Sequence, residues 1–93
     1  MLIFICFDRT DGARPENMGA VDTEIRALAT RTERPMMSLW LIDTPQTVDV
    51  VTEKLNPYAI NSANRLLVGL ISGRTNGILP RDLWPWINGQ TTS

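Results

Sequence analysis

Two short segments that are apolar on both faces, Leu2 to Phe7 and Leu66 to Ile71, predict strands covered on both sides. Two amphipathic stretches between them need a sheet face to cover, so the sequence predicts an α/β sandwich with its helices on one side. A chain of 93 residues, 43% hydrophobic and 20% charged, allows one compact domain, with a core over about residues 1–72 and a closing segment over 73–93. A domain of this size buries only about two-thirds of the surface its unfolded chain exposes, so its core is thin and a homodimer is expected.

The first strand, Leu2-Ile3-Phe4-Ile5-Cys6-Phe7, is rich in β-branched and aromatic residues and stops at the charged pair Asp8-Arg9. It has no basic segment before it and is too short for a signal-peptide core, so it reads as a strand of the mature protein. Asp11, Gly12 and Pro15 then mark a loop and a helix entry. From about Glu16 to Arg31, Met18, Val21, Ile25 and Leu28 recur at spacings of three and four, one face of an amphipathic helix. Met36 to Ile42 is a second apolar segment, ending at Asp43. Thr44-Pro45 offers an N-cap with proline at the first helical position, and Val48, Val51 and Leu55 carry a helix over 45–56 until Asn56-Pro57 stops it.

A polar stretch through Asn61, Ser62 and Asn64 leads into the last strand, Arg65 to Ser72. Gly73 and Asn76-Gly77 mark turns, and Pro85 limits any helix in the closing segment Leu79 to Ile87 to about one turn. Trp40 belongs to the apolar strand region and reads as core. Trp84 and Trp86 fold the tail back over an exposed sheet edge or across a subunit interface, packing rather than stacking on bases.

With no His and one Cys, the usual zinc sets and the Ser-His-Asp and Cys-His machineries are excluded, leaving carboxylate chemistry and hydroxyl or backbone binding. Cys6 has no partner for an intrachain disulfide and reads as a small apolar core residue, which fits a reducing cytoplasm. Neither apolar run approaches the roughly 20 residues of a membrane span, so no membrane partner is expected. The net charge is −1 with signs interspersed, which argues against strong nonspecific nucleic-acid binding. The cations are nevertheless almost all arginine, with Lys54 the one lysine. Guanidinium groups grip phosphate in bidentate fashion, although GC-rich codons explain the bias equally well.

Phe7-Asp8-Arg9-Thr10-Asp11 followed by a helix and then Ser38-Leu39-Trp40-Leu41 resembles the small CRISPR-associated adaptation proteins, the second of their numbered core set, with their SinR-like and VapD-like relatives. The resemblance covers about residues 1–72, and the Trp84-Pro85-Trp86 segment looks more like the SinR-like branch. It implies an α+β, ferredoxin-like βαββαβ sandwich with two helices on one face of an antiparallel sheet. The region Met36 to Asp43 would then be a tight hairpin of two strands. It also implies that Asp8, the carboxylate ending the first strand, faces its copy across a dimer and holds a divalent metal, Mg²⁺ or Mn²⁺, for phosphodiester hydrolysis. Asp11 matches a second acidic position and Ser38 the polar residue before the aromatic strand position.

Several relatives are structural nucleic-acid binders, so two functions stay open. One is a Mg²⁺-dependent endoribonuclease or nucleic-acid-binding protein, with Asp8 catalytic, Asp8 and Asp11 as metal ligands, and Arg9 and Arg14 on the nucleic acid. The other is a noncatalytic dimeric binding or regulatory module of toxin–antitoxin-like type. Asp8 itself reads either as a paired ligand or as a strand-terminating residue that caps the next turn. Arg9, Arg14, Arg65, Arg74 and Arg81 read either as a phosphate-binding stripe across a dimer or as a solvated surface.

The last strand would occupy a sheet edge, yet it lacks the charges or proline that guard edges, so the tail or a second chain must cover it. Truncation after Ser72 is therefore expected to change oligomeric state or solubility. An unaltered soluble species in size-exclusion chromatography would count against that cover.

Overall fold

A computed structural model describes residues 1–8, 19–59, 64–73 and 75–91, the last two by backbone alone. Its described elements are strands β1 (Leu2–Asp8), β2 (Arg31–Met36), β3 (Leu39–Asp43) and β4 (Arg65–Leu70), and helices α1 (Gly19–Leu28), α2 (Val48–Leu55) and α3 (Leu83–Thr91). The strands form one antiparallel sheet in the order β2-β3-β1-β4, so β1 is central and β2 and β4 are the edges.

The period-two alternation of β1 sorts its residues between two cores. Ile3, Ile5 and Phe7 point to one face and pack with Trp40 and Ile42 of β3, Val21 and Ile25 of α1, and Val51 and Leu55 of α2. Leu2, with Phe4 beside it, points to the other face and packs with Leu41 of β3 and with Leu83 and Ile87 of α3. Both faces of the central strand are thus covered, and α1 and α2 share one side as the helical spacings require.

The polar core contact is made by Trp40, whose buried indole N–H donates to Asp22 of α1 at 2.9 Å. Arg26, one turn on, donates to the same carboxylate at 2.9 Å, and the Arg34 guanidinium of β2 lies 4.4 Å from the centre of the Trp40 ring. Burial pushes the Asp22 carboxyl up. The hydrogen bonds from Trp40 and Arg26 and the charges of Arg26 and Arg34 outweigh that, and hold it below the usual carboxylate value.

Several elements differ from the sequence reading for identifiable reasons. The segment 31–36, of which the sequence reading places Arg31 at the end of the first helix and Met36 at the start of an apolar segment, is strand β2. The hairpin therefore begins at Arg31 and extends well beyond the expected Met36 to Asp43, with its turn at Met37-Ser38. This edge strand is polar and largely half-buried, and Pro35 sits in the register shift between Glu33 and Met36, a position at which an edge strand tolerates a residue without an N–H. The turn is tied from both sides. Arg34 donates to the Met37 carbonyl, and the Phe7 N–H donates to the Ser38 carbonyl at 2.9 Å.

The cap of α2 is Thr47, whose hydroxyl accepts from the Val50 N–H at 3.2 Å, so the helix starts at Val48 rather than at Pro45. Thr44 is buried and serves a different purpose. Its hydroxyl donates to the Leu28 carbonyl at 2.7 Å and accepts from the Gln46 N–H, fastening the end of α1 to the start of the α2 approach.

Pro85 does not limit the closing segment to a turn. It is the third residue of the nine-residue α3, where backbone N–H groups have no intrahelical acceptor and proline removes nothing. The tail also lies elsewhere than over β4. α3 covers Leu2 and Leu41, and Trp86 receives Arg31 of β2 at 4.4 Å, while Leu67 and Leu70 of β4 remain 61% and 50% exposed. No helix among the described residues is long and apolar enough to cross a membrane.

Gly69 lies opposite Phe4, whose ring carbons would come within 2.5 Å of a Cβ there. Gly69→Ala is expected to cost about 1–3 kcal/mol through displacement of that ring, and unchanged urea denaturation would contradict the close approach. Asp22 titrates at a lower pH folded than unfolded, so its ionised form stabilises the fold above about pH 4, and the contribution is lost as pH falls through the folded value. Asp22→Asn keeps an oxygen for Trp40 and is expected to cost about 0.5–1 kcal/mol at neutral pH, modest because the carboxylate touches solvent. That difference should shrink as the pH falls below the unfolded carboxylate value of about 4 in parallel urea titrations, and a deficit constant across pH would refute the charge argument.

Candidate functional site

Asp8 ends β1 on the face away from α1 and α2, because it shares the parity of Leu2, Phe4 and Cys6. Its register partner is Arg65, the first residue of β4, so an acid and a base stand directly across adjacent strands, both exposed. Opposite charges in that relation attract by roughly 0.2–1 kcal/mol. One residue pair further in, Cys6 faces Leu67 on the same side. The Phe7–Ser38 backbone bond swings the hairpin turn against this strand end and brings Ser38 to it.

Asp8, Ser38, Arg65 and Cys6 line one open cavity of about 240 Å³, floored by Leu67 and the backbone around Phe7 and Leu66. The cavity offers one carboxylate, one hydroxyl, one guanidinium and a thiol. Such a set can hold a phosphate through Arg65 and Ser38, since a guanidinium donates in bidentate fashion and a hydroxyl donates once. The chain matches no protein-family model, no curated protein and no solved structure. The likeness to CRISPR-associated adaptation proteins therefore rests on the sequence pattern alone.

Three of the residues singled out in the sequence, Asp8, Ser38 and Arg65, are brought together. Asp11, Arg9, Arg14 and Arg74 lie outside the described residues. Arg81 is exposed in the turn before α3, and it is not among the residues lining this cavity. Cys6 is not fully buried as expected of a core residue: it is half-buried and lines the cavity. The pairing of Asp8 with Arg65 is invisible in the sequence, because 56 intervening positions say nothing about the β1–β4 register; that Arg65 opens an apolar strand is the one available hint.

No cluster of three or more Cys, Asp or Glu suited to a metal ion occurs among the described residues. The donor set that the described residues bring to this cavity, a single carboxylate and a hydroxyl beside a cation, is too small for a protein cage. Mg²⁺, however, is held by one or two carboxylates and keeps several waters, so an exposed carboxylate such as Asp8 is of the ligand type it takes.

Proposed function

We propose that this chain is a ferredoxin-like protein of the CRISPR-associated and SinR-like group, which pairs as a homodimer and acts on nucleic-acid phosphates at the Asp8 end of its sheet. Its reaction is Mg²⁺-dependent hydrolysis of phosphodiester bonds in RNA. The order β1-α1-β2-β3-α2-β4 and the sheet order β2-β3-β1-β4 support the βαββαβ assignment. The observation that carries the function is the exposed Asp8 carboxylate at the end of the central strand, beside Ser38 and across from Arg65.

In this reading Asp8 of each protomer is the metal ligand, and Asp11 is an auxiliary carboxylate three residues further along the chain. Bound Mg²⁺ supplies charge for a phosphoryl oxygen and an activated water. Arg65 grips a neighbouring phosphate in bidentate fashion, Ser38 donates to a phosphate oxygen, and Arg9 and Arg14 extend the contact along the strand. A second reading, binding without hydrolysis, is favoured by Arg65 itself, since its register position across from Asp8 puts a positive charge beside the carboxylate that a metal would need.

Cleavage of a labelled single-stranded RNA in Mg²⁺ is expected to drop about 100-fold or more in Asp8→Asn, with RNA binding on gels within a few-fold of wild type. Arg65→Ala is expected to weaken RNA binding and flatten its salt dependence by about one unit of slope. Equal cleavage by Asp8→Asn would eliminate the catalytic assignment. Binding without cleavage would favour the noncatalytic module, and absence of binding at low salt would remove both readings.

A further inference from the structure

The outer edge of β4 carries a defined row of backbone donors and acceptors. The Ile71 N–H donates to the Leu2 carbonyl at 2.9 Å, so Leu2 and Ile71 form a hydrogen-bonded pair of the antiparallel ladder. Counting back by twos, Gly69, Leu67 and Arg65 also turn their backbone groups to β1. Leu66, Val68 and Leu70 therefore turn theirs outward, where no backbone or side-chain partner meets them among the described residues. Exposed leucines flank this row on both faces: Leu70, paired with Ile3, stands on the α1 and α2 side, and Leu67, paired with Cys6, on the α3 side.

What completes such an edge is an extended backbone, and the strand is complementary to itself. Residues 65–71 are centred on Val68, with Leu67 and Gly69 one place to either side and Leu66 and Leu70 two places. Turned end for end about Val68, a second β4 sets Leu66 against Leu70 on one face. On the other face it sets Leu67 against Gly69, a large side chain where the other copy has none. There the leucine meets the Phe4 ring, which lies so close over Gly69 that a Cβ would come within 2.5 Å of it. Arg65, the one charge of the strand, falls opposite Ile71 rather than another arginine. A centre at Leu67 would instead set Leu67 against its own copy and Asn64 against Leu70. A two-fold interface needs one patch that fits itself, and the register about Val68 supplies it.

We propose that two copies of this chain join β4 to β4, antiparallel and centred on Val68, so that two four-stranded sheets become one continuous sheet. Leu66, Val68 and Leu70 then exchange ladder bonds with Leu70, Val68 and Leu66 of the second copy. This gives the proposed homodimer its geometry and rests on that reading for the pairing alone, not for any reaction. It also moves the Asp8 carboxylates apart. Asp8 shares a row with Arg65, and the two Arg65 rows lie at opposite ends of the junction, roughly 20 Å apart along the strands at about 3.3 Å per residue. Each Asp8 cavity then works within its own protomer instead of facing its copy, and a metal there is not shared.

Sedimentation equilibrium of the full chain is expected to give twice the mass of one chain. Leu70→Lys changes a side chain that is exposed in the single chain, and should raise the dimer dissociation constant about tenfold or more with circular dichroism unchanged. Disulfide cross-linking in a Cys6→Ser background reads the register. Val68→Cys stands opposite its own copy at a Cα separation of about 5.5 Å, within disulfide range, and should cross-link on non-reducing gels. Leu67→Cys is more exposed but lies two residues out of step with its copy, beyond the roughly 7 Å limit, and should not. Asp8→Asn should dimerise as the wild type does, so a failed RNA reaction leaves this interface standing. The proposal is overturned by a wild-type chain that stays monomeric at its highest soluble concentration, by a dimer indifferent to Leu70→Lys, or by faster cross-linking at position 67 than at 68.

Discussion

Because β1 is hydrogen-bonded along both edges and covered on both faces, every other element takes its position from it. Odd-numbered residues of the strand recruit α1 and α2, and Leu2 and Phe4 on the opposite parity recruit α3. A one-residue slip of its register would exchange the two sets and leave both helical layers facing the wrong side chains. The last residue of the strand inherits the same parity. Asp8 stands on the α3 side of the sheet because Leu2 and Phe4 do, so the place of the candidate site follows from the packing of a strand seven residues long.

The polar contacts hold the second shell of this arrangement. Trp40, Asp22, Arg26 and Arg34 connect β3, α1 and β2 through one indole and one carboxylate. Across the sheet, Arg31 lies against Trp86 of α3, so edge strand β2 is tied directly to a helix on one face and, on the other, through Trp40 of β3 and its bond to Asp22, to α1. Cation–π contacts of this kind contribute about 0.5–1 kcal/mol each when exposed. They give the arginines of β2 a structural occupation, which leaves Arg65 as the described arginine nearest the Asp8 cavity.

What the amino-acid sequence made legible was whatever depends on apolar periodicity. β1, β4, the buried faces of α1 and α2, and the core position of Trp40 all follow from which residues are greasy and how far apart they stand. β2 escaped because an edge strand can be charged and still be a strand, and its turn carries Met37-Ser38 instead of the glycine or asparagine that announces a hairpin. The backbone there needs no positive φ; Arg34 and Phe7 secure it from outside. α3 escaped because proline was weighed by its effect in a helix interior, whereas Pro85 occupies the first turn. In the candidate site, Asp8 was conspicuous as a charge ending an apolar run, but its neighbours Arg65 and Ser38 depend on strand pairing, which composition does not encode.

The two edges of the sheet are unlike. β2 has charges, a proline and a register shift, each of which spoils it as a template, while β4 offers Arg65-Leu66-Leu67-Val68-Gly69-Leu70 with none of these inside the strand after its first residue. A sheet that can be extended on one side only is a terminating monomer in the polymer sense. Joined edge to edge through β4, two copies would expose a blocked β2 at each end, and growth would stop there. In such a pair the register shift at Pro35 would limit growth at a distance from the joined strands, by leaving no regular edge among the described strands to extend.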